Sequence, residues 1–208
     1  LSEIELHGRF AEAVRYAAEA HGAQVRKGTA VPYLSHPIAV AALVLEHGGN
    51  EVQATSAVLH DVVEDGGGRP RLDDVRARFG DEVADVVEAL SDAVCEEGEP
   101  KAPWKPRKAA YLEHLRGLVA AGHPAALVSL CDKLHNASAI VADATEPHGP
   151  GADVWNRFSV SADQTAWYYA QLASIFSDRA LPRRAVAGFR AKVDELTTAA
   201  EDACRAAE

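Results

Sequence analysis

An all-α fold is what this sequence predicts, on three observations. Apolar residues recur at three- and four-residue spacing in nearly every segment, and no stretch alternates with a period of two. Stretches rich in Gly and Pro separate the periodic blocks. The chain is 208 residues long and 48% apolar, enough for one buried core, so residues 1–208 are expected to form a single helical domain.

The elements follow in order. Residues 3–22 place Phe10, Val14, Ala17, Ala18 and His21 on one helix face, and a loop marked by Gly28 and Pro32 comes next. Ser35 is the expected N-cap of a helix that carries Pro37 and runs to Gly48-Gly49. Glu51 to Asp65 reads as one helix, ended by Gly66-Gly67-Gly68. Leu72–Phe79 and Asp81–Asp92 are short helices separated at Gly80, and the polar segment 93–105 is a loop. Arg107–Ala121 and Pro124–Asp143 form a helical pair broken at Gly122, followed by a Gly- and Pro-rich loop over 144–156. Two last helices run from about Ser159 to Ser177 and from Pro182 to the end. The motif-bearing part covers about residues 10–143, and the C-terminal helices cover 159–206.

Composition narrows the partners. A formal charge of −10 argues against a nucleic acid polymer, because such proteins usually present a basic face. A small anionic nucleotide needs only a local cluster of positive charge. Arg26-Lys27 is one such cluster, and Lys101, Lys105, Arg107 and Lys108 form another. No apolar run approaches the roughly 20 residues of a membrane span, so no membrane partner is expected. Cys95, Cys131 and Cys204 are widely spaced and form no C-x-x-C pair, and the N-terminus lacks a signal-peptide pattern. Both features fit a cytoplasmic location.

The chemistry concentrates in Val58-Leu59-His60-Asp61-Val62-Val63-Glu64-Asp65. His60 and Asp61 offer an imidazole and a carboxylate to one cation, and His36 and Asp132 could supply two more ligands from other segments. On helices, Glu64 lies one turn from His60 and Asp65 one turn from Asp61, while Asp132, His135 and Asn136 share a face. Burying such acids is costly without a cation. Mixed imidazole and carboxylate donors suit Mn²⁺, Fe²⁺ or Zn²⁺ and leave positions for water or a phosphate oxygen. The pattern points to metal-assisted phosphate ester hydrolysis, with Glu64 and Asp65 handling the water. Each feature alone has a plainer reading: a chance dipeptide at His60-Asp61, an ordinary helix start at His36, a surface acid at Asp132.

In order and context these blocks resemble the HD superfamily, and more narrowly the alarmone hydrolases of the RelA/SpoT type. The matching text is Ala20-His21, Gln24-Val25-Arg26-Lys27-Gly28, Pro32-Tyr33-Leu34-Ser35-His36-Pro37, His60 to Asp65, Phe79-Gly80 and Cys131-Asp132-Lys133-Leu134-His135-Asn136. The resemblance implies removal of the 3′-pyrophosphate from guanosine tetra- or pentaphosphate, usually with Mn²⁺. It implies His36, His60, Asp61 and Asp132 as ligands, Glu64 and Asp65 at the water, and Arg26, Lys27 and Asn136 on the substrate. Arg157 and Tyr168 are further candidates for the phosphate site, against an aromatic core made of Trp155, Phe158, Trp167 and Tyr168. The chain has no room for synthetase and regulatory domains, so hydrolysis alone is expected. Gly66-Gly67-Gly68-Arg69-Pro70 replaces the family's usual turn after Asp65. The alternative is an HD-type nucleotidase or phosphodiesterase acting on another phosphorylated nucleotide or metabolite. An idle binding module would be expected to lack a ligand or an acid, and none is missing from the sequence.

Overall fold

Helices account for the regular structure of the described residues, which in this computed structural model are 5–65, 67–91, 103–146 and 149–206, without the side chains of Asp65 and Ala152. They are α1 (Gly8–His21), α2 (Ser35–Glu46), α3 (Glu51–Leu59), α4 (Val62–Asp65), α5 (Gly68–Phe79), α6 (Asp81–Leu90), α7 (Trp104–Ala120), α8 (Ala125–Thr145), a 3₁₀ segment (Gly151–Arg157), α9 (Ala162–Ile175) and α10 (Arg183–Ala206). No strand occurs among the described residues, where an isolated bridge joins Val25 and Pro32. The all-α expectation holds, and no described helix is long and apolar enough to cross a membrane.

The fold is organised around α8. Every residue from Ala125 to Asp132 is buried, so this half of the helix has no solvent face. It packs against α2, α3, α6, α7 and α10. Helix α3 is similarly enclosed, with Ala54 to Leu59 all buried. A helix buried all round must be apolar or carry paired polar groups, and Asp132, at 6% exposure, is the charged residue of these two stretches that needs partners. Phe79, Phe176 and Phe189 are the largest fully buried side chains, each stabilising by about 1.5–3 kcal/mol on area alone.

Several expected boundaries move, each for a local reason. The helix expected over 51–65 is broken at His60-Asp61, which form a turn between α3 and α4. His60 Nδ1 lies 2.7 Å from the Ala57 carbonyl oxygen, the acceptor that an unbroken helix would give to the Asp61 amide. Ser35 does not cap α2: Leu34 holds the cap position and no side chain bonds there. Backbone bonds from Ser35 N–H to Pro32 O and from His36 N–H to Tyr33 O serve those amides instead, at 3.1 and 2.9 Å. Helix α1 begins at Gly8 rather than residue 3, and α5 begins at Gly68 rather than Leu72. Helix α7 begins at Trp104, with Pro106 in a first turn that needs no amide donor. Part of the expected 144–156 loop is helical, since α8 reaches Thr145 and a 3₁₀ segment covers 151–157. Helix α9 starts at Ala162, with the Ser161 amide donating to Gln164 Oε1. The segment 92–102, including Cys95 and Lys101, lies outside the described residues.

Candidate metal centre and adjoining cavity

Three separate segments bring the candidate ligands together. His36 is the second residue of α2, His60 and Asp61 form the turn after α3, and Asp132 lies in the middle of α8. One donor atom each from His36, His60 and Asp132 falls within 4.8 Å of the others. His36 Nε2 is 3.1 Å from Asp132 Oδ1 and 3.6 Å from Asp61 Oδ2. His60 Nε2 is 3.1 Å from Asp61 Oδ2 and 3.7 Å from Asp132 Oδ1. Donors about 2.1 Å from one ion sit about 3 Å apart when adjacent and about 4.2 Å apart when opposite in an octahedron. His36, His60 and Asp132 therefore have the spacing of a set that could share a divalent ion, and Asp61 Oδ2 lies beside both imidazoles.

The surrounding groups suit such an ion. His60 Nδ1 faces the Ala57 carbonyl, and its buried Nε2 is turned toward the acids without a well-directed hydrogen bond. Burial disfavours charge on both histidines. At His36 burial wins and the pKa falls, whereas at His60 the Asp61 and Asp132 carboxylates outweigh it and the pKa rises well above the usual histidine value. Burial alone would raise Asp61 and Asp132. The imidazoles pull Asp61 below the ordinary carboxylate range, and Lys133 together with the imidazoles does the same for Asp132.

Neighbouring groups fix the acids. Asp132 Oδ1 accepts from Asn136 Nδ2 at 2.6 Å, and its Oδ2 accepts from Lys133 Nζ at 2.5 Å. The Tyr33 hydroxyl donates to Asp61 Oδ2 at 2.6 Å. Arg26 donates to Asn136 Oδ1 at 3.0 Å. His135 Nδ1 lies 2.8 Å from His36 Nδ1, and burial with nearby His36 and Arg26 lowers its pKa to about 4. Cys131, beside Asp132, is a buried thiol pushed up to about 12, which suits packing rather than chemistry.

Two cavities adjoin the centre, sharing part of their walls. The smaller, about 170 Å³, is lined by the four candidate ligands and by Glu64 and Tyr111. The larger, about 370 Å³, is lined by Arg26, Lys27, Trp104, Arg157, Phe158 and Tyr168 among others. Tyr33, Lys108, Lys133 and Asn136 border both. The larger falls in the range of small-molecule pockets, roughly 300–1,000 Å³.

The sequence-predicted residues divide accordingly. Glu64, Arg26, Lys27, Asn136 and Arg157 all reach one of the cavities, while the Asp65 side chain lies outside the described residues. Lys108 and Tyr168 reach the cavity as well, whereas Lys105 and Arg107 line neither space. Arg157 is committed to an ion pair with Asp143 and lies across Gly28, where an added Cβ would fall 2.6 Å from its Nε. Gly28 also has φ +75°, so that turn both requires and accommodates glycine. The expected aromatic core holds only in part: Trp167 is 39% exposed and packs on Trp104, while Tyr168 faces the cavity. Tyr33 and Lys133 had no role assigned from sequence, although each lies within a motif. Trp104 had no sequence signal.

A cluster of buried His36, His60 and Asp132 with the partly exposed Asp61 beside them, on an all-α scaffold, defines a class of helical proteins able to hold a divalent metal. The HD domain family model matches residues 13–159, more than half of the chain, and the chain belongs to that family. It is 34% identical over 128 residues to the guanosine-3′,5′-bis(diphosphate) 3′-pyrophosphohydrolase MESH1 of Xenopus tropicalis, covering 60% of this chain and 65% of that protein. The MESH1 protein of Danio rerio is 35% identical over 129 residues, with the same two coverages. The alignments thus span just under two thirds of these relatives. A solved structure, described as a metazoan ortholog of SpoT that hydrolyzes ppGpp and plays a role in starvation responses, superposes with a TM-score of 0.67. It is 25% identical, and the match covers 94% of this chain and 97% of that one.

Proposed function

We propose that this chain is a single HD-type domain that hydrolyses guanosine 3′,5′-bis(diphosphate) and its pentaphosphate at the 3′ position, releasing pyrophosphate and GDP or GTP. The observation that carries the reading is the convergence of His36, His60, Asp61 and Asp132 beside a cavity edged by Arg26, Lys27, Lys108 and Lys133. Those four side chains are the proposed ligands, with Mn²⁺ as the ion; Fe²⁺ and Zn²⁺ suit the same donors. The activity for which the MESH1 relatives are named supports the substrate class. Two free cysteines among the described residues support a reducing cytoplasm.

A divalent cation bound there would polarise a phosphoryl oxygen and lower the pKa of water. The chain's own residues do the rest. Glu64, on the wall of the smaller cavity, would orient the attacking water and accept its proton, with Asp65 as the second carboxylate. Arg26 and Lys27 hold the phosphates as a guanidinium fork and a point charge. Asn136 joins Arg26 to Asp132, so phosphate binding and the metal centre share one hydrogen-bonded chain. Arg157 reaches the same cavity and is the remaining candidate for a phosphate contact.

A second reading, a nucleotidase or phosphodiesterase for another phosphorylated nucleotide, has one observation in its favour. Among the described residues, Asp143 is the acid lining the larger cavity, and it is engaged by Arg157 rather than left for the N–H groups of guanine. Incubating the Mn²⁺-loaded protein with the alarmone and a panel of nucleotides separates the two. Release of pyrophosphate with GDP from guanosine tetraphosphate is expected. Turnover of another nucleotide without turnover of the alarmone would replace the first reading by the second.

A further inference from the structure

An imidazole that ligates through Nε2 must hold its proton on Nδ1, so whatever binds Nδ1 sets the tautomer and aims the ring. The two histidines of the centre solve this differently. His60 uses the Ala57 carbonyl of its own helix, at 2.7 Å. No side-chain substitution removes that acceptor. His36 instead meets a second imidazole, with the two Nδ1 atoms 2.8 Å apart.

One of those nitrogens must donate and the other accept. If His135 donates, His36 is left with its proton on Nε2, pointing at Asp132 Oδ1 3.1 Å away. If His36 donates, its Nε2 lone pair faces Asp132 and Asp61, the arrangement a cation needs. His36 is 1% exposed, so bulk solvent is not at hand to replace His135 as acceptor. Helix geometry makes the contact possible: His135 stands one turn beyond Asp132 on α8, beside Asn136, which holds Asp132.

We infer that His135 is a positioning residue that accepts the Nδ1 proton of His36 and thereby holds its Nε2 ready for the metal. The inference rests on reading His36 as a ligand and is independent of the nucleotide substrate. His135 touches no reacting atom in this role. Its loss acts through His36.

The test is Mn²⁺ affinity of the full chain, measured by chelator competition without nucleotide, for His135→Leu, His135→Gln and His36→Ala. His135→Leu, with unchanged helicity, should weaken Mn²⁺ binding about 10–100-fold, as removal of an outer partner of a metal-bound histidine does. His135→Gln keeps an acceptor oxygen and should recover most of that loss. A loss of less than tenfold in His135→Leu, or an equal loss in both variants, overturns the role of His135. Undiminished binding in His36→Ala would instead overturn the ligand reading beneath it. Retained Mn²⁺ binding with no alarmone turnover would overturn only the substrate assignment.

Discussion

The region around the His-Asp turn lines the smaller cavity and the C-terminal region the larger one beside it, and they do so in opposite ways. Around His36, His60, Asp61 and Asp132, polar atoms other than His60 Nε2 are tied to hydrogen-bonding partners and even that nitrogen faces two carboxylates, with some links reaching across nearly a hundred residues of chain, as from His36 to His135. The 3₁₀ segment and α9 present aromatic faces instead, and two of their buried polar atoms, Trp155 Nε1 and Tyr168 Oη, have no hydrogen-bond partner. Burial pushes the Tyr168 phenol up, so it stays a neutral donor. The first region is built to hold charge, and the second gives the pocket its shape and an uncommitted donor. The family match ends at residue 159, ahead of α9 and α10.

Removing a proposed ligand should separate the regions most sharply. His60→Ala or Asp61→Ala is expected to abolish turnover and weaken metal binding by more than the roughly 10–100-fold caused by losing an outer partner. Metal content after dialysis, read by elemental analysis, checks it. Next comes Glu64→Gln, expected to cut turnover about 10²–10⁴-fold, the usual contribution of a general base. Metal and nucleotide binding should persist, and full turnover in that variant would remove Glu64 from water handling.

Substitutions in the C-terminal region should behave otherwise. Phe189 is fully buried against Tyr169 and Phe176, with ring centroids 6.2 and 5.4 Å away. Phe189→Ala should cost about 3–5 kcal/mol and lower the melting temperature by roughly 6–20 °C. Metal affinity at 25 °C should be unchanged, and a parallel loss of metal would show that the two regions are not separable. The smallest effect belongs to Tyr168→Phe. Its hydroxyl is unpaired in the free protein, so stability should hold or rise slightly, because no intramolecular bond is lost. If the hydroxyl donates to a substrate phosphate, KM should rise about tenfold, the value of one hydrogen bond to a charged group. An unchanged KM would assign Tyr168 to packing alone.

The sequence carried the centre because its parts lie in short local blocks. His60-Asp61-x-x-Glu64 and Asp132-x-x-His135-Asn136 place their side chains through helical spacing, which can be counted along the chain. Even there, the turn at His60-Asp61 was invisible, since both residues are compatible with a helix and the break depends on an imidazole competing for the Ala57 carbonyl. The cavity wall was much less legible. Trp104, Lys108 and Tyr168 come from helices whose apolar spacing looks the same whether a residue faces the core, the pocket or solvent. Trp167 and Tyr168 are neighbours, yet one is 39% exposed and the other 6%.

Fold class, helix order and the identity of the charged groups were written in the order of residues, because helical periodicity and ligand chemistry are local properties. Which groups meet was settled by packing. Helices α2, α3 and α8 and the turn after α3 bring together two carboxylates, a lysine and five nitrogens of three imidazoles, which must satisfy one another. That requirement is set by desolvation across distant segments, and no single segment encodes it.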